Sequence, residues 1–299
     1  MKKMLGLLAL ALCSIVARTS DLPVPDELVG AQTVGILHVD MAAIKFDQVV
    51  KSVSEKMGTP APDPKDTEQF KQMMDAFKAA GGAGLSLVVN TNKDLNPDNA
   101  GDGAVLVVSK GENGDDAKLT ELVNGLVGPQ KDKLAADCPK KVGSSLVWYS
   151  AKFTLPKGDE AKAKAFTDAF THLGTGSSVS LVIVPDEDTM KLAEKGLKDA
   201  PPEQAAMAKA LLAATAYCVS TNLGAAEAPN LSLLVAAADD DGAGTIKNAL
   251  DNAFAMAKKE VPPLAAFVDS LKLSVAGSSV KLAIDLNELA KAAKAMMGP

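Results

Sequence analysis

Aromatic residues and histidines are scarce in this chain of 299 residues. It contains one Trp, two Tyr and eight Phe, so aromatic platforms that stack on bases or sugars are not expected. Acidic groups outnumber basic groups and give a net charge of −6, which argues against a basic surface for nucleic acids. With 47% hydrophobic residues, the chain has enough apolar side chains to build substantial cores. We therefore expect a globular protein that does not bind nucleic acid.

The sequence also lacks the common catalytic motifs. It has no GxSxG elbow, no HExxH pair, no Walker loop and no GxGxxG fingerprint. Only His38 and His172 are available as histidine bases or ligands. His38 lies in an apolar strand pattern, and His172 lies beside the apolar stripe of a predicted helix. We expect both to have structural or solvated roles, so no catalytic residue, metal ligand or cofactor is predicted.

No apolar run reaches the length of about 20 residues that a transmembrane helix needs. The longest candidate begins at Met4 and follows Lys2 and Lys3, which is the layout of a secretory signal peptide. We predict a signal peptide over residues 1–17, with cleavage after either Cys13 or Ala17. Lipid attachment at Cys13 is a further alternative, but the bulky residue before it fits poorly. An N-terminal helix of the mature fold is a less favoured interpretation.

Residues 18–32 contain Pro23, Pro25 and Asp26 and are predicted to be an exposed linker. The mature chain is then expected to be exported, to a periplasm or the exterior.

An internal repeat is visible in the remaining chain. The segment around Gly143 (VGSSLV) resembles the segment around Gly277 (AGSSVK), 134 residues later. Predicted strands and helices also follow one another in the same order in the two parts. We therefore predict two similar α+β halves over residues 33–156 and 157–299, although chance similarity of two such segments is an alternative. Each half is expected to be a mostly antiparallel sheet, loosely ferredoxin-like, with helices covering one face.

Periodicity and turn residues predict the individual elements. Strands are expected at residues 33–39, 84–91, 104–109, 145–151, 177–184, 215–221, 231–237, 271–276 and 280–286. Helices are expected at residues 41–57, 67–80, 115–126, 160–173, 188–197, 202–213, 243–260 and 287–297.

Two acidic segments could be mistaken for cation sites. Asp239, Asp240 and Asp241 precede Gly242, but the flanking positions do not fit an EF-hand. We expect them to cap the helix that follows. Asp40, Asp115 and Asp186 likewise lie at predicted helix starts or in polar loops, where solvent and backbone amides stabilise the ionised form. The second segment contains side chains with oxygen ligands, but their spacing does not match a cation-binding motif. It is interpreted as a solvated hairpin loop: Asn92, Asp94, Asn96, Asp98 and Asp102.

Two cysteines remain after leader removal, and neither belongs to a CxxC pair. Cys218 alternates with the small residues Ala216 and Ser220, so we expect it to be buried under a helix and unpaired. A disulfide between Cys138 and Cys218 stays an alternative in an oxidising compartment. Several methionines on helix faces, including Met207 and Met256, are expected to be core, with an apolar-ligand cavity as the alternative.

The leader, the small-residue helices and the strand-Gly-Ser-strand ending resemble uncharacterised bacterial exported proteins with tandem α+β repeats. This resemblance extends over most of the mature chain but transfers no functional residue. We expect a noncatalytic exported protein that interacts with an envelope component or a protein of unknown identity. The alternatives are a periplasmic carrier of an apolar ligand, and a hydrolase or metal-dependent enzyme in which His38 or carboxylates converge in a cleft.

Overall fold

A computed structural model describes residues 22–47, 64–91, 103–173, 177–197, 201–222 and 230–297. Within these ranges it has ten strands and eight α-helices. The strands are β1 (Thr33–Asp40), β2 (Gly82–Asn90), β3 (Ala104–Lys110), β4 (Lys140–Val142), β5 (Ser145–Tyr149), β6 (Val179–Ile183), β7 (Ala216–Thr221), β8 (Asn230–Ala236), β9 (Lys272–Ala276) and β10 (Ser279–Asp285). The helices are α1 (Pro64–Ala79), α2 (Asp116–Val127), α3 (Glu160–Leu173), α4 (Glu187–Gly196), α5 (Pro202–Leu212), α6 (Asp240–Glu260), α7 (Ala265–Ser270) and α8 (Leu286–Met297).

All ten strands form one antiparallel sheet, in the order β4-β5-β3-β2-β1-β6-β7-β8-β10-β9. β1 pairs with β6 at its centre. Counted outward from that pairing, the strands are β1-β2-β3-β5-β4 on one side and β6-β7-β8-β10-β9 on the other. On each side the outermost two strands are therefore in the reverse of their order along the chain. The expected α+β class is confirmed, and the two segments that we predicted as halves share a single continuous sheet.

Alternation along the strands divides the sheet into two faces. Face A carries Ile36, Val88, Val182 and Cys218, which belong to one buried cluster together with Phe166 of α3. Face B carries the side chains between them. On face B, α1 and α2 pack over the strands of the first half, around the buried Trp148. In the second half, α6 and the end of α5 pack over Val235 and Val280.

The position of α3 differs from the expected arrangement, in which helices cover one face of the sheet. Ala163, Phe166 and Ala169 of α3 are all buried, and their cluster includes face A residues of β6, β7 and β8. Because these three side chains recur every third residue, they form a stripe on one side of the helix. The helices therefore lie on both faces of the sheet.

The segment before β1 was predicted to be an exposed linker, and this prediction is wrong for its described part. Val24, Leu28 and Val29 are only 3%, 1% and 0% exposed and belong to the core on face A. Proline restricts the backbone but does not determine whether its neighbours are exposed. The apolar side chains beside Pro23 and Pro25 are buried, and the chain forms a short 3-10 helix at Asp26–Leu28.

Most predicted elements are confirmed, with boundaries that differ by a few residues. The short strand β4 and the short helix α7 were not predicted. Phe70 of α1 is 45% exposed, and the centroid of its ring lies 4.9 Å from that of Phe46. The predicted first helix is wrong for residues 41–45, which form a turn and an irregular segment and not a helix. Its residues 48–57, the acidic loop at residues 92–102 and the predicted leader lie outside the described residues.

Candidate functional site

A row of polar side chains crosses the centre of face A. His38 of β1 lies directly opposite Ser86 of β2 on one side and Ser180 of β6 on the other. The pairing continues the row through Ser220 of β7 to Ser232 of β8. This row lies beside the buried apolar side chains of Ile36, Val88 and Val182, which makes it the strongest candidate for chemistry in the described chain.

The His38 imidazole is held from two sides. Its Nδ1 lies 2.9 Å from the Ser86 hydroxyl oxygen. Its Cε1 lies beside Gly84, and a Cβ added to residue 84 would be only 2.7 Å from this atom. Glycine, which has no Cβ, avoids this close contact. Burial lowers the pKa of His38, and the nearby Asp40 carboxylate partly opposes this shift. The ring is therefore favoured in its neutral form.

Ser86 is only 2% exposed, and its hydroxyl also lies 3.4 Å from the Pro23 carbonyl oxygen, towards which it can donate a long hydrogen bond. This contact links the row to the segment that precedes β1. A serine nucleophile needs a base and access to substrate. Ser86 has a histidine partner, but the Pro23 segment covers it.

Asp40 does not complete a serine, histidine and carboxylate triad. Its Oδ1 accepts hydrogen bonds from the backbone N–H groups of Ala42, at 2.9 Å, and Ala43, at 3.1 Å. This is the geometry of a carboxylate that caps a turn. The predicted role of Asp40 at the start of a helical segment is consistent with these bonds.

A groove of about 680 Å³ opens beside this row, at the ends of β1, β2, β3 and β5. Its lining includes His38, Asp40, Lys110 and Ser145, together with the segment at residues 22–25. The Lys110 ammonium contacts the Asp116 carboxylate, which Lys141 also contacts at 3.2 Å. The hydrogen bonds from these two lysines lower the pKa of Asp116, although burial opposes the shift. The lysine charge in the groove is therefore already paired.

Three of the predicted acidic positions are helix caps, as expected, whereas Asp240 and Asp241 lie in the first turn of α6. Asp239 is the N-cap of α6 and accepts a hydrogen bond of 2.7 Å from the backbone N–H of Gly242. Asp115 caps α2 and Asp186 caps α4 in the same way. Within the described ranges, no group of three His, Cys, Asp or Glu side chains is placed to hold a metal ion.

Both described cysteines are free thiols. Cys218 is 0% exposed, and its Sγ lies 3.7 Å from the carbonyl oxygen of Ala169 on α3, which confirms the predicted packing under a helix. Burial raises the pKa of Cys218 to about 12. Cys138 is half-buried, and burial raises its pKa as well. Neither thiol is activated as a nucleophile.

A second groove, of about 570 Å³, lies between α5 and α6. Its lining is uncharged and consists mainly of small side chains and methionines: Ala206, Met207, Ala210, Thr245, Asn248, Ala249, Asn252, Ala255 and Met256. The α6 residues recur at spacings of three and four, so they occupy one side of that helix. The structure thus brings together Met207 and Met256, which the sequence placed on separate helices.

Sequence reasoning missed the polar row, because its members come from five strands and meet only through sheet pairing. Alternation within β1 did place His38 on the same face as Ile36, but nothing in the sequence identified Ser86 as its partner. No helix in the described part of the chain is both long and apolar enough to span a membrane. Comparison with known proteins found no matching family model, curated protein or solved structure.

Proposed function

We propose that this chain is a noncatalytic exported protein that acts by binding a protein or an envelope component through the groove between α5 and α6. The uncharged lining of this groove is the observation that carries the proposal. Nearly a quarter of the chain is charged, yet none of the nine lining residues carries a charge. Exposed uncharged surface is typical of a contact that excludes water.

The neighbouring surface of α6 supports this interpretation. Lys247 and Asp251 form an ion pair of 2.5 Å one helical turn apart, beside the groove rather than in it. Asn248, Asn252 and Thr245 add hydrogen-bonding groups along the groove. An apolar centre with neutral polar groups and a charged border is the usual composition of a protein-binding surface.

The polar row on face A supports a structural role for the residues that might otherwise catalyse. The His38 imidazole contacts Ser86, whose hydroxyl lies 3.4 Å from the Pro23 carbonyl oxygen, and an oxygen of Asp40 accepts two backbone hydrogen bonds. These contacts join the segment before β1 to the sheet. A hydrolase would instead need a serine that substrate can reach.

Site-specific photocrosslinking in the native cell tests the binding role. A photoreactive amino acid at Asn248, which is exposed in the groove, is expected to give a discrete covalent adduct with a partner. The matched control is Lys259, which is exposed on the same helix outside the groove lining. Equal labelling at both positions would contradict the proposal. Turnover that His38→Ala abolishes without unfolding the protein would contradict its noncatalytic part.

A carrier of an apolar ligand is the second candidate, and the side chains of Met207 and Met256 favour it. Methionine is flexible and polarisable and adapts to apolar ligands of different shape. The groove volume lies within the range of small-molecule sites. Native mass spectrometry of the purified chain is expected to show a bound apolar molecule that Met256→Glu removes and Lys259→Glu retains. An unliganded mass would exclude a tightly held cargo.

We also propose that the chain consists of two related halves, each loosely ferredoxin-like, preceded by a signal peptide that directs export. The equal strand order on the two sides of the β1–β6 pairing supports the relationship between the halves. The turns of the β4–β5 and β9–β10 hairpins support it further, since Gly143 has φ of 55° and Gly277 has φ of 54°. The signal peptide is tested by the intact mass of the exported chain, which would be full length if residues 1–17 were retained.

A further inference from the structure

The chain contains two Asn-Gly dipeptides, and they lie in different structural settings. Asn113 and Gly114 belong to the turn between β3 and α2, whereas Asn124 and Gly125 lie within α2. An asparagine before a glycine is chemically labile, because glycine has no Cβ to hinder the approach of its backbone nitrogen to the preceding side-chain amide. The same dipeptide is therefore present in two environments of one protein.

The Asn113 side chain is accessible for reaction. It is exposed, and its amide makes no hydrogen bond to any described residue. The Gly114 nitrogen donates a backbone hydrogen bond of 3.0 Å to the carbonyl oxygen of Gly111, which closes the turn. Gly111 is exposed as well, so brief opening of this bond is expected to cost little free energy.

The Asn124 side chain is held in place instead. Its Oδ1 accepts a hydrogen bond of 3.0 Å from the indole N–H of the buried Trp148. In a helix such as α2, each backbone N–H bonds to the carbonyl oxygen four residues earlier. The Gly125 nitrogen is therefore expected to react with the Asn124 side chain only when the helix unwinds.

We propose that Asn113 is a site of spontaneous covalent modification, at which the asparagine becomes an aspartyl or isoaspartyl residue. The Gly114 nitrogen loses its proton and forms a bond to Cγ of Asn113. The bond from Cγ to the side-chain nitrogen breaks, and ammonia leaves with the proton. The product is a five-membered cyclic imide.

Water from the solvent then opens the imide. Its addition at Cγ leaves a side-chain carboxylic acid, which is aspartate. Its addition at the backbone carbonyl carbon leaves the chain connected through Cγ, which is isoaspartate. In both cases the imide nitrogen regains a proton, so the net reaction exchanges an amide for a carboxylic acid and releases ammonia. The acid ionises and adds one negative charge to the turn.

The modification alters a tightly packed connection. A Cβ at Gly81 would lie only 2.6 Å from the Cα of Gly114, so these two backbones already approach each other closely. Beside this contact, the backbone N–H of Asp115 donates a hydrogen bond of 2.9 Å to the carbonyl oxygen of Ala80. Isoaspartate adds one backbone carbon to the turn, because the chain then runs through Cγ. We expect the added length to disrupt both contacts.

The same change affects the start of α2. Asp115 is its N-cap and accepts hydrogen bonds from the backbone N–H groups of Ala117 and Lys118. Loss of an N-cap destabilises a helix, and α2 packs in the cluster that contains Trp148. Because the reaction proceeds with time, the stability of the chain is expected to decrease with its age.

Peptide mapping of the full, folded chain tests the proposal. Digestion with trypsin places Asn113 in residues 111–118 and Asn124 in residues 119–131, so the two sites are measured separately. The chain is incubated at mildly alkaline pH in water labelled with heavy oxygen before digestion. The first peptide is expected to accumulate labelled aspartyl and isoaspartyl forms about tenfold faster than the second. In denaturant, both peptides are expected to react at similar rates.

Three results would overturn the proposal. The first is an Asn113 that stays unmodified in the folded chain, or reacts no faster than Asn124. The second is a modified peptide that contains aspartate without isoaspartate, which excludes the imide. The third is an equal preference for Asn113 in denaturant, which shows that the fold does not determine the site.

The effect on stability is measured with aged protein. Asn113→Gln retains an exposed amide but disfavours the reaction, because glutamine would have to form a six-membered ring. Asn252→Gln, at an exposed asparagine that no glycine follows, is the matched control. After incubation, the wild type and Asn252→Gln are expected to unfold at a lower urea concentration than before, monitored by Trp148 fluorescence, whereas Asn113→Gln should not change. An equal decrease in all three would overturn the link between the modification and stability.

Discussion

Ile36 of β1 and Val182 of β6 lie directly opposite each other at the centre of the sheet, and both are 0% exposed. They belong to one buried cluster that also contains Val147 of β5 and Leu234 of β8. The core on face A thus extends from one predicted half into the other. We expect the described sheet to unfold as one cooperative unit.

Replacing Val182 by alanine tests this cooperativity. The loss of two buried methyl groups is expected to cost about 2 kcal/mol of unfolding free energy. Trp148, the only tryptophan, lies in the other predicted half. In urea, its fluorescence transition and the far-UV circular dichroism transition are both expected to shift to lower concentration by the same amount. An unchanged tryptophan transition would mean that the halves unfold independently.

Gly143 is required by the turn between β4 and β5, because its φ of 55° is unfavourable for residues with a side chain. Gly143→Ala is expected to destabilise the protein by about 1–2 kcal/mol, although the structure leaves space for the added methyl group. Gly125→Ala is the matched control. Gly125 is exposed in α2 and a Cβ there also meets nothing, so helix propensity should stabilise the protein by about 0.5–1 kcal/mol. Equal effects in thermal unfolding would contradict the argument from φ.

His38 predicts a pH dependence of stability. Its folded pKa lies below the unfolded value of 6.5, because burial disfavours the charged ring. As the pH falls through 6.5, the unfolded chain binds a proton that the folded chain resists, so the free energy of unfolding decreases. The loss ends once the pH is below the folded pKa, where both states are protonated.

The measurement is urea unfolding at a series of pH values from about 7.5 downward, compared with His38→Gln. Glutamine retains an amide near Ser86 but does not titrate, so the variant is expected to lose less stability on acidification. His172→Gln, at an exposed position on α3, is the control and should retain the wild-type pH dependence. If the free energy of unfolding of His38→Gln fell with pH as steeply as that of the wild type, groups other than His38 would cause the pH dependence.

Cys218 is expected to resist thiol reagents in the folded protein. Its pKa of about 12 and its complete burial keep the reactive thiolate at a very low concentration. With Cys13→Ser and Cys138→Ser isolating this thiol, labelling by iodoacetamide should occur only after denaturant is added. Rapid labelling of the native variant would show that α3 separates readily from the sheet. Non-reducing mass analysis of the wild type tests in addition that both thiols are free.

The secondary structure could largely be predicted from local patterns. Apolar spacing and turn residues identified nearly all strands and helices, and alternation with Ala216 and Ser220 correctly indicated a buried Cys218. Likewise, Asp239 before Gly242 predicted a helix cap rather than a cation site. These features depend on neighbouring residues along the chain, so the sequence alone determined them.

Other features depend on residues far apart in the chain. Val24 and Val29 are buried because they pack against face A of the sheet. The apolar stripe of α3 packs on the same face, against side chains from three different strands. The contact of His38 with Ser86 joins residues 48 positions apart, and the groove of Met207 and Met256 requires two helices to pack side by side. Only the tertiary structure decided these, because strand register and helix packing, and not local periodicity, determine which distant side chains meet.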